Sequence, residues 1–319
     1  MLIWSLFIGL IIIFLALDLG VFHKNDHEIK AKEAGIWTAI WVTVALSFSG
    51  IIYWLFSDGL IANPTGLTAQ NAVLKYITGY LIELSLSIDN VFVIAVIFSS
   101  FKIPAIYQHR VLFWGILGAI VFRALMIVFG VALITKFDWI IYVFGVFLLY
   151  TAFKMLRSND DKFDPKTSFV FRQIKKIYPI TTQIRGHDFF IKRMGVTAAT
   201  PLFVALIIIE LTDVLFALDS IPAILAITAD PFIVFSSNIF AILGLRSMYF
   251  LISRMLQKFR FINYSLVVIL AFVGLKMLFS HHIELPEWLS LTVISVSLAG
   301  GILASLLISD SKKEEEGPV

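Results

Sequence analysis

The chain reads Glu83-Leu-Ser-Leu-Ser-Ile-Asp89-Asn90 within one long apolar stretch and Asp213-Val-Leu-Phe-Ala-Leu-Asp219-Ser220 within another. Each copy places two acidic residues six positions apart, and a residue with a side-chain oxygen follows the second acid. A further acid, Glu210, lies three residues before the second copy. Apolar stretches of about 20 residues are typical of membrane-spanning helices. The two copies therefore indicate acidic side chains at the depth of a bilayer core.

The composition agrees with a membrane environment. Of the 319 residues, 59% are hydrophobic and only 15% are charged, whereas a soluble domain carries about 25% charged residues. The mean hydropathy is +0.93. The chain contains no cysteine, which excludes disulfides, zinc-thiolate sites, iron–sulfur clusters and thiol nucleophiles.

Hydropathy predicts an all-α polytopic membrane protein with about nine transmembrane helices. Residues 1–22 resemble a signal peptide in length, but no Lys or Arg precedes the apolar run and no small-residue cleavage pattern follows it. We therefore expect a retained first span. The nine predicted spans cover approximately residues 2–22, 35–57, 72–100, 108–134, 138–157, 198–228, 231–257, 261–280 and 287–308.

The basic residues of the loops predict the orientation. Nineteen Lys and Arg fall in one set of alternate loops, nine of them between Arg157 and Arg193, and only Lys136 falls in the opposite set. Loops rich in Lys and Arg stay in the cytoplasm. We therefore expect the N-terminus outside and the C-terminus inside the cell.

The acidic copies belong to a longer internal repeat. Gly118 and Arg123 in the helix after the first copy resemble Gly244 and Arg246 in the helix after the second. Each unit has three predicted helices, so the two units are expected to point in opposite directions, as in many secondary transporters. This predicts the following organisation: two helices in 1–71, a first repeat in 72–157, a basic cytoplasmic loop in 158–197, an inverted repeat in 198–280, and a last helix with a polar tail in 281–319.

Five buried carboxylates need compensation. An acidic residue at a helix centre costs about 2.5–3.5 kcal/mol, so five would cost on the order of 15 kcal/mol. A bound cation, basic partners or protons could offset this cost. The candidate metal ligands are Glu83, Asp89, Asn90, Glu210, Asp213, Asp219 and Ser220, and the candidate counter-charges are Arg123 and Arg246.

One straight helix cannot direct all these acids at a single ion, because residues six positions apart lie about 120° apart around the helix. Pro222 lacks a backbone donor and would free the carbonyl of Leu218. We therefore expect a break in the helix of the second unit. The first unit has Phe92 at the matching place, so no break is expected there.

The predicted site offers oxygen ligands, which suit Mg²⁺, Ca²⁺ and Mn²⁺ better than Cu⁺ or Zn²⁺. The structural alternative is that basic side chains pair with the acids to fasten the bundle; the candidates are Lys75, Arg123, Lys154, Arg246 and Lys276. The three lysines lie near helix ends, from which they can reach the interface. Two arginines do not neutralise five carboxylates, which favours an ion pathway.

Three segments carry a resemblance to a known family. They are Gly79-Tyr-Leu-Ile-Glu83-Leu-Ser-Leu-Ser-Ile-Asp89-Asn90-Val-Phe, Glu210-Leu-Thr-Asp213-Val-Leu-Phe-Ala-Leu-Asp219-Ser220-Ile-Pro222 and Asn238-Ile-Phe-Ala-Ile-Leu-Gly-Leu-Arg246. They resemble the signature segments of the TerC family, and of its Alx branch in particular. The resemblance implies a manganese exporter of the bacterial inner membrane with the seven ligand positions given above. It selects Mn²⁺, while the ligand chemistry alone admits Ca²⁺ equally.

The family is named for tellurium resistance, but a field of carboxylates repels an oxyanion, and no dense Arg cluster offers it a partner. We expect alternating access between the two units and exchange of metal for protons, because crowded carboxylates hold protons. We expect neither enzymatic activity nor a cofactor. The expected partners are the lipid bilayer and the transported cation, and no nucleic acid is expected to bind. The alternative is a non-transporting factor for membrane-protein assembly or insertion. An intramembrane hydrolase would need a Gly-x-Gly-Asp pattern, which the sequence lacks.

Overall fold

The computed structural model describes residues 2–22, 31–63, 66–137, 139–157, 169–193, 196–253, 261–279 and 285–307. Within these ranges it leaves out the side chains of residues 18–22, 89, 169, 170, 193, 196, 262 and 306. Asp89, one of the predicted ligands, therefore lies in a described helix, but its side chain is outside the described part.

The described chain is built almost entirely from helices, as predicted. They are α1 (Leu2–Phe22), α2 (Ala31–Ser57), α3 (Ala69–Ser100), α4 (Ala105–Lys136), α5 (Ile140–Arg157), α6 (Phe169–Ile177), α7 (Pro201–Leu225), α8 (Pro231–Ile252), α9 (Ile262–Leu278) and α10 (Glu287–Leu307). Within the described residues, seven helices are long and apolar enough to cross a membrane, and Leu2–Leu17 and Asn263–Leu278 are shorter apolar stretches. The all-α polytopic fold is confirmed, and the count of nine spans stays a prediction.

The segment between α5 and α7, predicted only as a basic loop, contains regular structure. The short helix α6 precedes a two-stranded antiparallel sheet of β1 (Phe190–Arg193) and β2 (Val196–Ala199). Thr200 follows β2 directly, and its hydroxyl donates to the carbonyl of Asp188 at 2.8 Å. The sheet thereby fixes the chain where it enters α7.

The helices pack in pairs that an inverted repeat would produce. The helix α3 packs extensively on α8, and α4 packs on α7. If the two repeat units are α3–α5 and α7–α9, these two helix pairs are equivalent. The third helices of the units, α5 and α9, cross where Gly145 meets Gly274: a Cβ added at either residue would lie 3.0 Å from the carbonyl oxygen of the other. Close helix crossings in membranes need such small residues. The repeat and the domain division stay predictions.

The helices outside the two units cover the bundle on different sides. The helix α2 packs on α3 and α8, and Phe48 stacks near Phe240 with ring centroids 4.6 Å apart. On α10, Glu287 pairs with Lys75 at 2.8 Å and with Lys276 at 3.6 Å. These two lysines therefore join α10 to α3 and α9. The sequence had predicted instead that they extend to the membrane–water interface.

The expected break at Pro222 is wrong. The helix α7 runs without interruption to Leu225, with Pro222 buried inside its last turn. Proline removes one hydrogen bond and clashes with the preceding turn, but so close to the C-terminal end it disturbs little of the helix. The acids of α7 consequently project from a regular helix in different directions.

The predicted orientation can be tested with single cysteines, because the chain has none of its own. Asp58 and Gln183 are both exposed, and the predicted topology places them outside and inside, respectively. In intact cells, we expect a membrane-impermeant maleimide to label the Asp58→Cys variant and to label Gln183→Cys only after lysis. The unmodified protein is the control for background, and equal labelling of Gln183→Cys in intact cells would reverse the topology.

Candidate functional site

One guanidinium lies between the acids of two helices. Arg123 on α4 donates through Nη1 to the Glu83 carboxylate on α3. It also donates through Nε to Oδ2 of Asp213 on α7 at 3.1 Å and through Nη2 to Oδ1 of Asp213 at 2.8 Å. The second pair of bonds is the bidentate arrangement that makes arginine–carboxylate contacts strong and directional. Arg123 therefore joins α3, α4 and α7 at one point.

Two amide side chains complete this centre. Asn238 on α8 donates through Nδ2 to Oε2 of Glu83 at 2.9 Å. Asn90 on α3 donates through Nδ2 to Oδ1 of Asp213 at 3.4 Å, which is a long hydrogen bond. We call these five residues the Arg123 cluster: Glu83, Asn90, Arg123, Asp213 and Asn238.

The Arg123 cluster is almost fully enclosed. Glu83 is 0% exposed, Arg123 is 1% exposed and Asp213 is 8% exposed. Removing one partner of such a buried pair leaves an uncompensated charge at a cost of about 3–5 kcal/mol. The structural alternative of the sequence analysis is thus correct for Arg123: it pairs with two of the five acids. Its single positive charge does not balance both.

Glu210 lies beside the Arg123 cluster but outside its hydrogen bonds. Its carboxyl group packs directly on Gly118 of α4, so closely that a Cβ on this glycine would overlap it. Its Oε2 atom is buried and has no hydrogen-bond partner among the described residues. Gly118 was predicted as a repeat landmark and as a site of close helix packing; the structure shows that its missing side chain provides the space for a carboxylate.

A small cavity adjoins Asp213. This cavity is large enough for one water molecule, because the centre of a water-sized sphere can occupy about 20 Å³ inside it. Its polar lining consists of Asn90, Thr212, Asp213 and Arg246. The Oδ1 atom of Asn90 is buried without a hydrogen-bond partner in the described part of the chain. Arg246 is itself buried, being 1% exposed.

Asp219 lines a second, larger cavity of about 230 Å³. It accepts a hydrogen bond from Oγ1 of Thr151 on α5 at 3.0 Å, and Lys154 lies in the same wall. The ring of Phe216 borders both cavities. Along α7, the order Asp213, Phe216, Asp219 therefore places an aromatic ring between two acid-lined spaces.

The structure does not gather the predicted ligands around one point. Glu83, Asn90 and Asp213 meet in the Arg123 cluster, whereas Asp219 lies in the second cavity. Ser220 is buried, and its Oγ atom has no hydrogen-bond partner among the described residues. No three His, Asp or Glu side chains within the described ranges are arranged to hold one metal ion. The expected single site is therefore not formed in this conformation by the described residues, because Arg123 occupies the carboxylates that would build it.

The predicted site residues did not include Asn238, Thr151 or Phe216. Asn238 begins the quoted segment that ends at Arg246, and this position could have suggested a role. Nothing in the local sequence distinguishes Thr151 or Phe216, since their place depends on which helices become neighbours.

Comparisons with known proteins give a consistent result. The model of the family described as "Integral membrane protein TerC family" matches residues 68–313. The chain is 48% identical over 306 residues to "Uncharacterized membrane protein STKORF319" of Myxococcus xanthus, covering 96% of this chain and 92% of the relative. It is 44% identical over 294 residues to "Putative membrane-bound redox modulator Alx" of Escherichia coli K12, covering 92% and 90%, respectively. No solved structure matches the chain.

The support that Asn238 gives to Glu83 can be measured. We expect Asn238→Leu to lower the free energy of unfolding by about 1–3 kcal/mol, because a buried carboxylate loses a donor. Thermal unfolding in detergent, followed by the fluorescence of the seven tryptophans, reports the change. Ser236→Ala is the matched control on α8, since among the described residues this buried hydroxyl donates only to the carbonyl of Ile233 in its own helix. Equal stability of the two variants would contradict the role of Asn238.

Proposed function

This chain belongs to the integral membrane protein TerC family, and from that premise we propose that it is a secondary transporter that exports a divalent metal cation. Mn²⁺ is the proposed cargo, and Ca²⁺ has the same preference for oxygen ligands. The proposed carrier has no catalytic residues and no resident cofactor. We propose that it lies in the bacterial inner membrane with its N-terminus outside and its C-terminus in the cytoplasm.

The observation that carries this proposal is the pair of acid-lined cavities along α7. Asp213 lines the small cavity and Asp219 lines the large one, and Phe216 borders both. Acidic side chains inside a membrane bundle are costly and are typically found on ion pathways. A cation would meet two carboxylates in succession, and movement of the Phe216 ring would open the way between them.

The buried oxygen atoms suit a hard cation. Glu210 Oε2, Asn90 Oδ1 and Ser220 Oγ are enclosed and have no hydrogen-bond partner within the described residues. All three atoms lie on α3 or α7 and belong to residues that were themselves predicted as ligands. Mn²⁺ and Ca²⁺ bind carboxylate, amide and hydroxyl oxygens, so these atoms supply the type of ligand that the cargo requires.

Alternating access gives the pairs of helices a function. The α3–α8 and α4–α7 pairs meet at the Arg123 cluster, and rocking of one predicted unit against the other would expose the acids to each side in turn. Exchange of metal for protons fits the crowding of carboxylates in a low dielectric. Inward proton flow would then drive efflux of the metal.

The name of the Escherichia coli relative raises a redox role. Thiol–disulfide exchange is not available to the side chains of this chain, because it contains no cysteine. A cation carrier uses the buried carboxylates that a thiol-based role would leave without a purpose. The cluster of acids therefore favours cation transport over thiol chemistry.

Transport by the purified protein tests this function. We expect Mn²⁺ uptake into proteoliposomes by the unmodified chain, and background uptake by Asp89→Asn and Asp219→Asn, because each removes a charge that the cargo needs. Asp58→Asn is the matched control, since Asp58 is exposed beyond the end of α2. Absence of uptake by the unmodified protein would reject the carrier and favour an assembly factor. Full activity of Asp219→Asn would show that the second cavity does not lie on the transport pathway.

Two glycine variants test the position of Glu210. In Gly118→Ala, the added Cβ would overlap the Glu210 carboxyl group, whereas in Gly50→Ala on α2 it would meet nothing within 4 Å. Overpacking costs about 1–3 kcal/mol, and about 1.4 kcal/mol corresponds to a tenfold change in rate. We expect Gly118→Ala to fold but to transport Mn²⁺ about tenfold more slowly, with Gly50→Ala unchanged. Equal rates in both variants would show that the carboxyl position is unimportant.

A further inference from the structure

Resting on the proposed function, we propose that Arg123 is a tethered counter-cation that holds the Glu83 and Asp213 carboxylates when no cargo is bound and yields them to the cargo. Three nitrogen atoms of its guanidinium contact carboxylate oxygens on two different helices. Glu83 and Asp213 are the acids that the sequence repeat makes equivalent. The guanidinium thus takes the place between the two units where a cation shared by both would bind.

The Arg123 guanidinium and a divalent cargo would compete for the same carboxylate oxygens. Both oxygens of Asp213 accept from Arg123, and Oε1 of Glu83 does the same. A divalent ion bound by these oxygens would lie directly beside the guanidinium, and two cations that close repel each other strongly in a low dielectric, so binding of the ion displaces the guanidinium. Arginine keeps its charge at all physiological pH values. Arg123 is therefore displaced as a cation, without a change in its protonation state.

The exchange also links cargo binding to movement. Arg123 joins α4 to α3 and α7, so its displacement removes three contacts that hold these helices together. When the cargo leaves, the guanidinium returns and compensates one of the two carboxylate charges, and a proton taken up in the proposed exchange compensates the other. The empty carrier can then pass through the occluded conformation without bare negative charges in a low dielectric. Arg123 therefore serves the return step, while the carboxylates serve the loaded step.

A purely structural ion pair makes a different prediction. If Arg123 only fastens the bundle, its removal damages every mode of transport equally. If it is a counter-cation, its removal leaves the loaded carrier able to move and stops the empty one. Net uptake requires the empty carrier to return, whereas exchange of Mn²⁺ against Mn²⁺ across the membrane does not.

The experiment compares these two modes in proteoliposomes containing the full chain. We expect Arg123→Gln to lower net Mn²⁺ uptake by about tenfold or more, because the return step moves uncompensated carboxylates, and to retain exchange of labelled Mn²⁺ between Mn²⁺-loaded compartments. Arg110→Gln is the matched control: Arg110 lies on the same helix, over the Phe189 ring and away from the Arg123 cluster. It should leave the ratio of exchange to net uptake unchanged.

Arg123→Lys keeps the test decisive if the glutamine variant does not fold. Lysine retains the charge but cannot form the bidentate contact, so we expect net uptake to persist and Mn²⁺ to bind more tightly than in the unmodified protein. Equal loss of exchange and net uptake in folded Arg123→Gln, or weaker Mn²⁺ binding in Arg123→Lys, would overturn the counter-cation role while leaving the carrier intact. Absence of any Mn²⁺ flux in the unmodified protein would instead overturn the proposed function, and the inference with it.

Discussion

The contact of Arg123 with Glu83 and Asp213 is the constraint around which the helix bundle is arranged. A charged side chain is expensive inside hydrocarbon, and three such groups are tolerable there only when they face one another. This requirement fixes how α3, α4 and α7 approach, because each contributes one of the three charges. The amide of Asn238 adds α8 to the same point. The polar centre thus specifies which helices are neighbours, a choice that apolar faces alone leave open.

Small residues allow the polar centre to form. Without a side chain at Gly118, the carboxyl group of Glu210 fits between α4 and α7. Where α5 crosses α9, Gly145 and Gly274 bring the two backbones together. In a bilayer, the hydrophobic effect does not drive one helix against another, so close packing and polar contacts determine the arrangement. Charge and glycine placement therefore act together: one selects the partners, and the other lets them approach.

The separation of Asp213 from Asp219 divides the candidate site into two parts. Both acids belong to α7, but they line different cavities with Phe216 at the border. A regular helix rotates by about 100° per residue, and the uninterrupted course of α7 past Pro222 preserves this rotation. The two acids consequently lie in separate cavities instead of forming a single cage. This separation is compatible with the proposed cargo, which would bind at one acid and then move to the other.

The sequence by itself determined the membrane environment, the position of each long helix and the presence of buried acids, because hydropathy and helix length are local properties of the chain. It also identified Arg123 as a candidate counter-charge. Only the tertiary structure decided that Arg123 takes Glu83 and Asp213 together, that Asp219 faces Thr151 on α5, and that Glu210 rests on Gly118. These contacts join residues from 40 to 92 positions apart. Periodicity along one helix carries no information on which neighbouring helix supplies a partner, and for that reason the partners could not be predicted from the sequence.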